Sequence, residues 1–246
     1  MSTTSLSSTR RASRTPPLST GARRSIALTA GLLALLAIYS GAQLLVAGIA
    51  DYQARAFIQS WEKKSSPPSE QAWQIAADAI HRAIKVYPGA NGDYLETLGY
   101  IQQWRAHGVD LKDASAQPYR HAALQALREA TQARPTWPNA WTALAYAKLT
   151  LLEFDPEFTQ ALQQAQRFGP WRIEANRRIA EIGLIAYSAL NSQQKEIVLT
   201  SVQRAADYST AERKKLFELA AQTNTLNVLC NALDSQAAPC QPTPAP

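Results

Sequence analysis

The sequence is poor in residues that several protein classes require. Only 10 of its 246 residues are Gly, which excludes collagen-like and other Gly-rich fibrous proteins. Two Cys exclude a disulfide-dense scaffold and a four-cysteine zinc site within the chain. Strand signals are missing after residue 66, where Val and Ile are sparse and the helix formers Ala, Leu, Gln, Glu and Arg dominate. Apolar residues nevertheless make up 46%, enough to predict a packed helical core.

Negative charge is absent from the first 50 residues, which contain five Arg and no Asp or Glu. The net charge of +6 therefore belongs mainly to this end, because the remainder has 20 basic against 19 acidic residues. We expect no nucleic-acid binding, since the folded part has no basic surplus and the Arg-rich segment lacks interleaved aromatic residues. Residues 1–24 are rich in Ser, Thr, Arg and Pro and predict a disordered, basic cytoplasmic arm.

Charged residues are also absent from residues 25–50, a run of 26 residues. Roughly 20 apolar residues cross a bilayer as a helix, so this run predicts a transmembrane helix. Five Arg precede it, whereas the charges that follow nearly cancel, which places the N-terminus in the cytoplasm. In a bacterium this makes a single-pass inner-membrane protein with a periplasmic domain. A cleaved signal peptide is the alternative, because residues 40–42 and 48–50 resemble cleavage sites, although signal-peptide apolar regions are typically shorter.

The cysteines fit an oxidising compartment. Cys230 and Cys240 lie ten residues apart near the C-terminus and do not have the spacing of a C-x-x-C redox motif. We expect a structural disulfide that closes a short loop. Two free thiols are the alternative.

An internal repeat follows a juxtamembrane segment, residues 51–66. One spacing of three apolar residues and a proline occurs three times, and its prolines lie 47 and 35 residues apart. The second interval is close to the 34-residue period of tetratricopeptide (TPR) repeats, and an insertion at 106–117 accounts for the longer first one. Small residues facing large ones on the neighbouring helix would let paired helices approach. The copies are Ala76-x3-Ile80-x2-Ala83-x4-Pro88, Ala123-x3-Leu127-x2-Ala130-x4-Pro135 and Phe158-x3-Leu162-x2-Ala165-x4-Pro170.

The predicted fold is all-α, an N-terminal transmembrane helix followed by a TPR-like helical-hairpin solenoid over residues 67–234. A Pro-rich, irregular tail covers 235–246. Asp155 before Pro156 predicts a helix start, and Ser209 with Glu212 has the spacing of a capping box. The predicted helices are 69–87, 93–106, 115–133, 137–152, 156–168, 172–190, 193–207, 210–222 and 224–233.

Motifs of catalysis and metal binding are missing. His81, His107 and His121 do not have metal-ligand spacing, and neither a Gly-rich phosphate loop nor a G-x-S-x-G motif occurs. We therefore predict a protein that is not an enzyme and that has no metal or cofactor.

Aromatic residues fall into two predicted groups. Trp73, Trp141 and Trp171 occur near repeat positions and are expected in the core. The first helix of each TPR hairpin lines a concave groove, where polar and aromatic side chains could grip a peptide or stack on sugar rings. The alternative is that these are ordinary surface and core residues. The predicted groove residues are Asp93, Glu96, Tyr100, Trp104, Asn139, Thr142 and Tyr146.

Residues 135–187 resemble the VpsP-type polysaccharide biosynthesis proteins, which are membrane-anchored and associated with bacterial exopolysaccharide production. The chain departs from this pattern at Arg172, where a Glu usually follows the Pro-Trp pair. The similar pieces are Trp137-Pro138, the helix from Trp141 to Lys148, Phe158-x2-Ala161-Leu162, Gly169-Pro170-Trp171 and Ile182-Gly183-Leu184.

The resemblance implies a non-catalytic scaffold in the synthesis or export of an extracellular polysaccharide, with other envelope proteins as partners. An anchored helical solenoid without a catalytic motif predicts the same type of protein. One alternative is a periplasmic assembly chaperone of the cytochrome c maturation type. Another is an enzyme acting on polysaccharide, which would need a pair of carboxylates in a pocket.

Overall fold

A computed structural model of the protein describes residues 19–233 and residue 240, and within them it contains helices and no β-strand. The predicted arm lies outside the described residues up to residue 18, and the predicted tail does so except for Cys240. A short 3-10 helix, Tyr187–Ala189, follows the seventh of the α-helices. The α-helices are α1 (Thr20–Lys64), α2 (Glu70–Val86), α3 (Gly92–Arg105), α4 (Gln117–Ala133), α5 (Pro138–Thr150), α6 (Pro156–Phe168), α7 (Ile173–Ala186), α8 (Ser192–Tyr208), α9 (Thr210–Gln222) and α10 (Leu226–Ala232).

The predicted all-helical class is confirmed, and each of the nine helices predicted after the anchor has a counterpart. Most boundaries agree within two residues, because proline and capping residues mark them. Asp155 caps α6, with its carboxylate accepting a hydrogen bond from the Phe158 N–H at 3.0 Å. Ser209 caps α9, but the Glu212 carboxylate that would complete a capping box is paired with Arg177 instead.

The chain divides into two units, residues 1–42 and 43–246. In the described part of the first unit, α1 begins at Thr20, so residues 20–24 of the predicted arm are helical. Its apolar side chains are largely exposed, as those of Leu28 and Leu35 illustrate. By length and composition α1 is able to cross a membrane.

The second unit begins at Gln43, earlier than the predicted start of the helical domain at residue 67. Within this unit α1 buries Ala47, Ala50 and Ala54 in a cluster that also contains α2 residues. The hydroxyl of Thr97 donates a hydrogen bond to the Asp51 carboxylate at 3.1 Å. The second unit starts earlier than predicted because alanine is common both in protein cores and in membrane-spanning helices, so the sequence of residues 43–50 does not distinguish the two environments.

The repeated spacing marks buried positions. Each of its three prolines follows the last residue of a helix by two positions, after Val86, Ala133 and Phe168. All nine apolar residues of the three copies are fully buried, namely Ala76, Ile80, Ala83, Ala123, Leu127, Ala130, Phe158, Leu162 and Ala165.

Neighbouring helices pack in sequence order. The pairs α3 with α4, α5 with α6 and α7 with α8 are in contact, and α3, α5, α7 and α9 also contact one another successively. Two glycines permit the close approach of α3 to α4 and of α7 to α8. A Cβ on Gly99 would lie 2.6 Å from Leu127 Cγ, and one on Gly183 would overlap Val198. A large side chain thus fills the space left by a glycine on the facing helix, as predicted for the repeats.

Tryptophan burial differs from the prediction at one of three positions. Trp73 and Trp141 are half-buried, but the side chain of Trp171 is 80% exposed. The 35-residue interval explains the difference, because it aligns Trp171 with the exposed turn residue Thr136. The counterpart of Trp141 is Asn176: the Trp141 indole N–H donates to the Pro135 carbonyl at 2.8 Å, and the Asn176 amide donates to that of Pro170 at 3.0 Å.

The structure joins Cys230 of α10 and Cys240 in a disulfide, with Cα atoms 5.5 Å apart. The bond ties residue 240 to α10.

Candidate binding site

A cavity of about 550 Å³, here called the large cavity, lies in the second unit. Three predicted groove residues line it, Tyr100 and Trp104 from α3 and Tyr146 from α5. Its remaining wall comes from α1, α4, α7 and the segment between α3 and α4. The other lining residues are Glu62, Gln103, Ala106, His107, Gly108, Val109, Leu111, Arg120, Thr150, Arg178 and Glu181.

A second cavity of about 240 Å³, here called the small cavity, adjoins the large one. Tyr100, Arg178 and Glu181 line both cavities. The small cavity also receives two predicted groove residues from α5, Asn139 and Thr142. Its remaining lining residues are Glu174 and Arg177 of α7. Five of the seven predicted residues are therefore brought together around two neighbouring cavities.

The other two predicted groove residues, Asp93 and Glu96, line neither cavity. Asp93 forms an ion pair with Arg134 at the end of α4. Glu96 is 9% exposed and accepts a hydrogen bond from the Tyr100 hydroxyl at 3.2 Å. Burial raises the pKa of Glu96, although the hydrogen bond from Tyr100 opposes it. The hydrogen bond to Glu96 therefore holds the Tyr100 ring in position. The ion pair between Asp93 and Arg134 connects α3 to the end of α4.

The tyrosines serve as neutral hydrogen-bonding groups. Burial raises the pKa of Tyr100, with the nearby Glu96 carboxyl adding to the effect. Burial likewise raises the pKa of Tyr146, and Glu181 adds to it. The guanidinium carbon of Arg178 lies 5.0 Å from the Tyr146 ring centre, and its Nη1 lies 3.0 Å from Glu181 Oε2. These contacts suit binding through stacking and hydrogen bonds.

The chain segment that connects α3 to α4 and lines the large cavity is the insertion predicted at residues 106–117. One buried residue organises it: Arg120, 2% exposed, donates hydrogen bonds to the carbonyls of Leu111 at 2.6 Å and of Val109 and Asp110 at 2.9 Å. Three carbonyls on one guanidinium fix the segment against α4. The composition of 106–117 located the insertion, but nothing in it indicated that Arg120 is its anchor.

The α7 side of the site was not among the predicted groove residues; it consists of Glu174, Arg177, Arg178 and Glu181. The 35-residue interval between the second and third copies of the repeated spacing indicates three of these positions. Residues 35 positions after Asn139, Thr142 and Tyr146 are Glu174, Arg177 and Glu181, which line the small cavity. Arg177 forms two hydrogen bonds of 2.6 and 2.8 Å with Glu212 of α9, which orient it. Two pairs of positions 35 residues apart on α5 and α7, Asn139 with Glu174 and Thr142 with Arg177, therefore line the small cavity together.

A separate charged group lies at the turn between α5 and α6. It consists of Lys148, Arg128, Glu153, Asp155 and Glu157 and is called the Lys148 cluster below. The side chain of Lys148 is fully buried, and its ammonium nitrogen lies 2.8 to 2.9 Å from an oxygen of each of the three acidic residues. Arg128 adds two hydrogen bonds to Glu157 at 2.7 and 2.6 Å.

Each charge in the Lys148 cluster stabilises the others. Burial opposes the charged form of Lys148, but hydrogen bonds to the three acids outweigh it and raise its pKa. A hydrogen bond from Arg128, opposed by burial and reinforced by Lys148, lowers the pKa of Glu157 to about 2. Because every charge has a partner, we interpret this cluster as structural.

No family model and no curated protein matches the chain. Within the part of the chain that the structure describes, no group of three His, Cys, Asp or Glu side chains is arranged to hold a metal ion.

Proposed function

We propose that the protein is a non-catalytic, membrane-anchored scaffold that supports the synthesis or export of an envelope polysaccharide through protein–protein contacts. Its N-terminus lies in the cytoplasm and its helical domain, built of TPR-like hairpins, in the bacterial periplasm. The large and small cavities are the surface to which a segment of a partner protein binds.

The observation that carries this proposal is the common lining of the two cavities. Residues from one face of α3, α5 and α7 converge there, at positions related by the repeat interval between α5 and α7. A repeated face that presents rings, amides and both charge signs suits an extended peptide, whose side chains vary along its length.

The anchor and the compartment have independent support. The apolar half of α1 is long enough for a bilayer, and the five Arg before residue 25 favour a cytoplasmic N-terminus. The disulfide between Cys230 and Cys240 fits an oxidising compartment. Successive contacts among α3, α5, α7 and α9 fit a TPR-like arrangement.

A clean gene deletion tests the role, with surface and secreted polysaccharide measured beside c-type cytochromes. We expect loss of the polymer with normal cytochromes. Normal polymer with lost cytochromes would contradict the proposal and support an assembly chaperone of the cytochrome c maturation type.

Complementation of the deletion tests the site. Arg178→Gln removes a side chain that lines both cavities, so we expect it to lower polymer production at an unchanged protein level. Arg82→Gln, at an exposed position on α2, removes the same charge elsewhere and serves as the matched control. Full complementation by both variants would mean that the cavities are not the binding surface.

A further inference from the structure

A third cavity of about 430 Å³ lies outside the large and small cavities. It opens on the surface between the end of α6 and α8, and we call it the arginine cavity. Its lining consists of Gln163, Gln164, Gln166, Arg167, Pro170 and Arg204. No carboxylate is among these residues, whereas glutamates line both other cavities.

The two guanidinium groups of the arginine cavity lack acidic partners. Among the described residues, neither Arg167 nor Arg204 forms an ion pair. Moreover, Nη1 of Arg204 is buried and has no hydrogen-bond partner among the described residues. A buried donor without a partner is costly, so the Arg204 guanidinium retains hydrogen-bonding capacity that a small rotation of the side chain would offer to a ligand acceptor. The cavity therefore favours an anion.

The rim of the arginine cavity carries a flat apolar surface. The guanidinium carbon of Arg204 lies 5.0 Å from the ring centre of Trp171, the residue after Pro170. Trp171 is 80% exposed, so most of its indole remains open to a ligand although Arg204 lies over the ring. An exposed indole offers a face for the C–H groups of a sugar ring, and the carboxamides beside it can donate to and accept from hydroxyl groups.

From these features we infer that the arginine cavity binds an acidic saccharide, a sugar ring that carries a carboxylate. The carboxylate pairs with Arg204 and Arg167, the ring stacks on Trp171, and the hydroxyl groups bond to Gln163 and Gln164. An acidic peptide would satisfy the arginines but would not use the indole face and the carboxamides together. This inference rests on the proposed role in polysaccharide assembly and gives it a ligand class.

Binding to the full-length protein in phosphatidylcholine nanodiscs, which carry no net lipid charge, tests the inference. The probes are galacturonate oligomers, the uncharged oligosaccharide maltohexaose and polyglutamate, titrated by calorimetry. We expect galacturonate to bind and the other two to bind at least ~10-fold more weakly, because maltohexaose has no carboxylate for the two arginines and polyglutamate has no sugar ring for the Trp171 indole.

Substitutions locate the binding. Arg204→Gln and Trp171→Ala should each weaken galacturonate binding at least ~10-fold, and the exposed Arg167→Gln provides a variant with little risk to folding. Arg82→Gln is the matched control and should bind as the unaltered protein does. Thermal unfolding of each variant verifies that it is folded.

Three results would overturn the inference: no galacturonate binding, equal binding of the neutral oligosaccharide, or equal binding by all arginine-cavity variants. Polyglutamate binding as tightly as galacturonate would replace the saccharide with an acidic peptide. The gene deletion separates this inference from the proposed function. If the deletion leaves the polymer unchanged while galacturonate binding depends on Arg204, the saccharide site stands and the scaffold role fails.

Discussion

The Lys148 cluster and the arginine cavity each contain two cationic side chains, but their surroundings are opposite. In the Lys148 cluster, two cations face three carboxylates, and each lies within hydrogen-bond distance of an oppositely charged group. In the arginine cavity, the described residues supply neither Arg167 nor Arg204 with an acid. The first group can therefore be assigned to stability, and the second is available for binding.

This comparison teaches that charge location matters more than net charge. The chain after residue 50 is nearly neutral, yet its charges are not evenly neutralised. A buried cation with several partners stabilises the fold only while all its partners remain, whereas an unpaired cation contributes little to the fold. If this is right, substitutions in the Lys148 cluster should lower stability, and substitutions in the arginine cavity should change stability little.

Lys148→Met has the largest expected effect, because it leaves three carboxylates around an apolar side chain. We expect a loss of about 3 kcal/mol, or a fall in Tm of about 6–12 °C, measured by thermal unfolding in detergent. Lys214→Met, at a largely exposed lysine, is the matched control and should change Tm little. A Tm within about 2 °C of the unaltered protein would remove the distinction between the two charged groups.

Acid should weaken the Lys148 cluster specifically. The pKa of Glu157 is about 2 in the folded protein against 4.5 ordinarily, and that of Asp155 is also lowered. A lowered folded-state pKa stabilises the fold above the ordinary pKa, and this contribution is lost as the pH falls from about 5 towards 2. Because a third of the Glu157 side chain is exposed, screening leaves about 1–2 kcal/mol.

Thermal unfolding between pH 6 and pH 2.5 measures this contribution. The unaltered protein should lose more stability over this range than Glu157→Gln, which has no carboxylate to protonate at that position. Parallel pH curves for the two proteins would show that Glu157 is not a coupled member of the cluster.

Arg128→Gln probes the exposed edge of the Lys148 cluster. It removes two hydrogen bonds to Glu157 but leaves the one from Lys148, so we expect a loss of about 1 kcal/mol. The corresponding fall in Tm is about 2–4 °C, with Arg82→Gln as control. In the double variant with Lys148→Met the two losses should not add, since both residues act through Glu157. Strictly additive losses of stability would contradict the interpretation that Lys148 and Arg128 act through the same Glu157 carboxylate.

Several parts of the architecture were predictable because local chemistry marks them. Pro88, Pro135 and Pro170 end helical segments, and their intervals revealed the repeat whose apolar positions are buried. The same intervals, extended one helix further, would have located Glu174 and Arg177. The sequence therefore contains the signal for the α7 half of the site as well as for the α5 half.

Other features depend on contacts that leave no local mark. Lysine is ordinarily an exposed residue, so nothing in the sequence around Lys148 indicated its complete burial. The burial of Ala47 within an uncharged run was equally hidden, because a membrane and a protein core select the same residue types. Trp171 was expected in the core because it lies near a repeat position, but the 35-residue interval aligns it with the exposed turn residue Thr136, and it is exposed in the structure.

Arg204→Gln is expected to have the smallest effect on stability. The substitution removes a guanidinium whose buried Nη1 has no partner among the described residues, so the loss of the contact with Trp171 is the main cost. We expect a change within about 0.5 kcal/mol, or less than about 2 °C in Tm. A fall in Tm as large as that of Arg128→Gln would mean that Arg204 stabilises the fold. The charge of the arginine cavity would then be structural, like that of the Lys148 cluster, and it would no longer indicate a bound ligand.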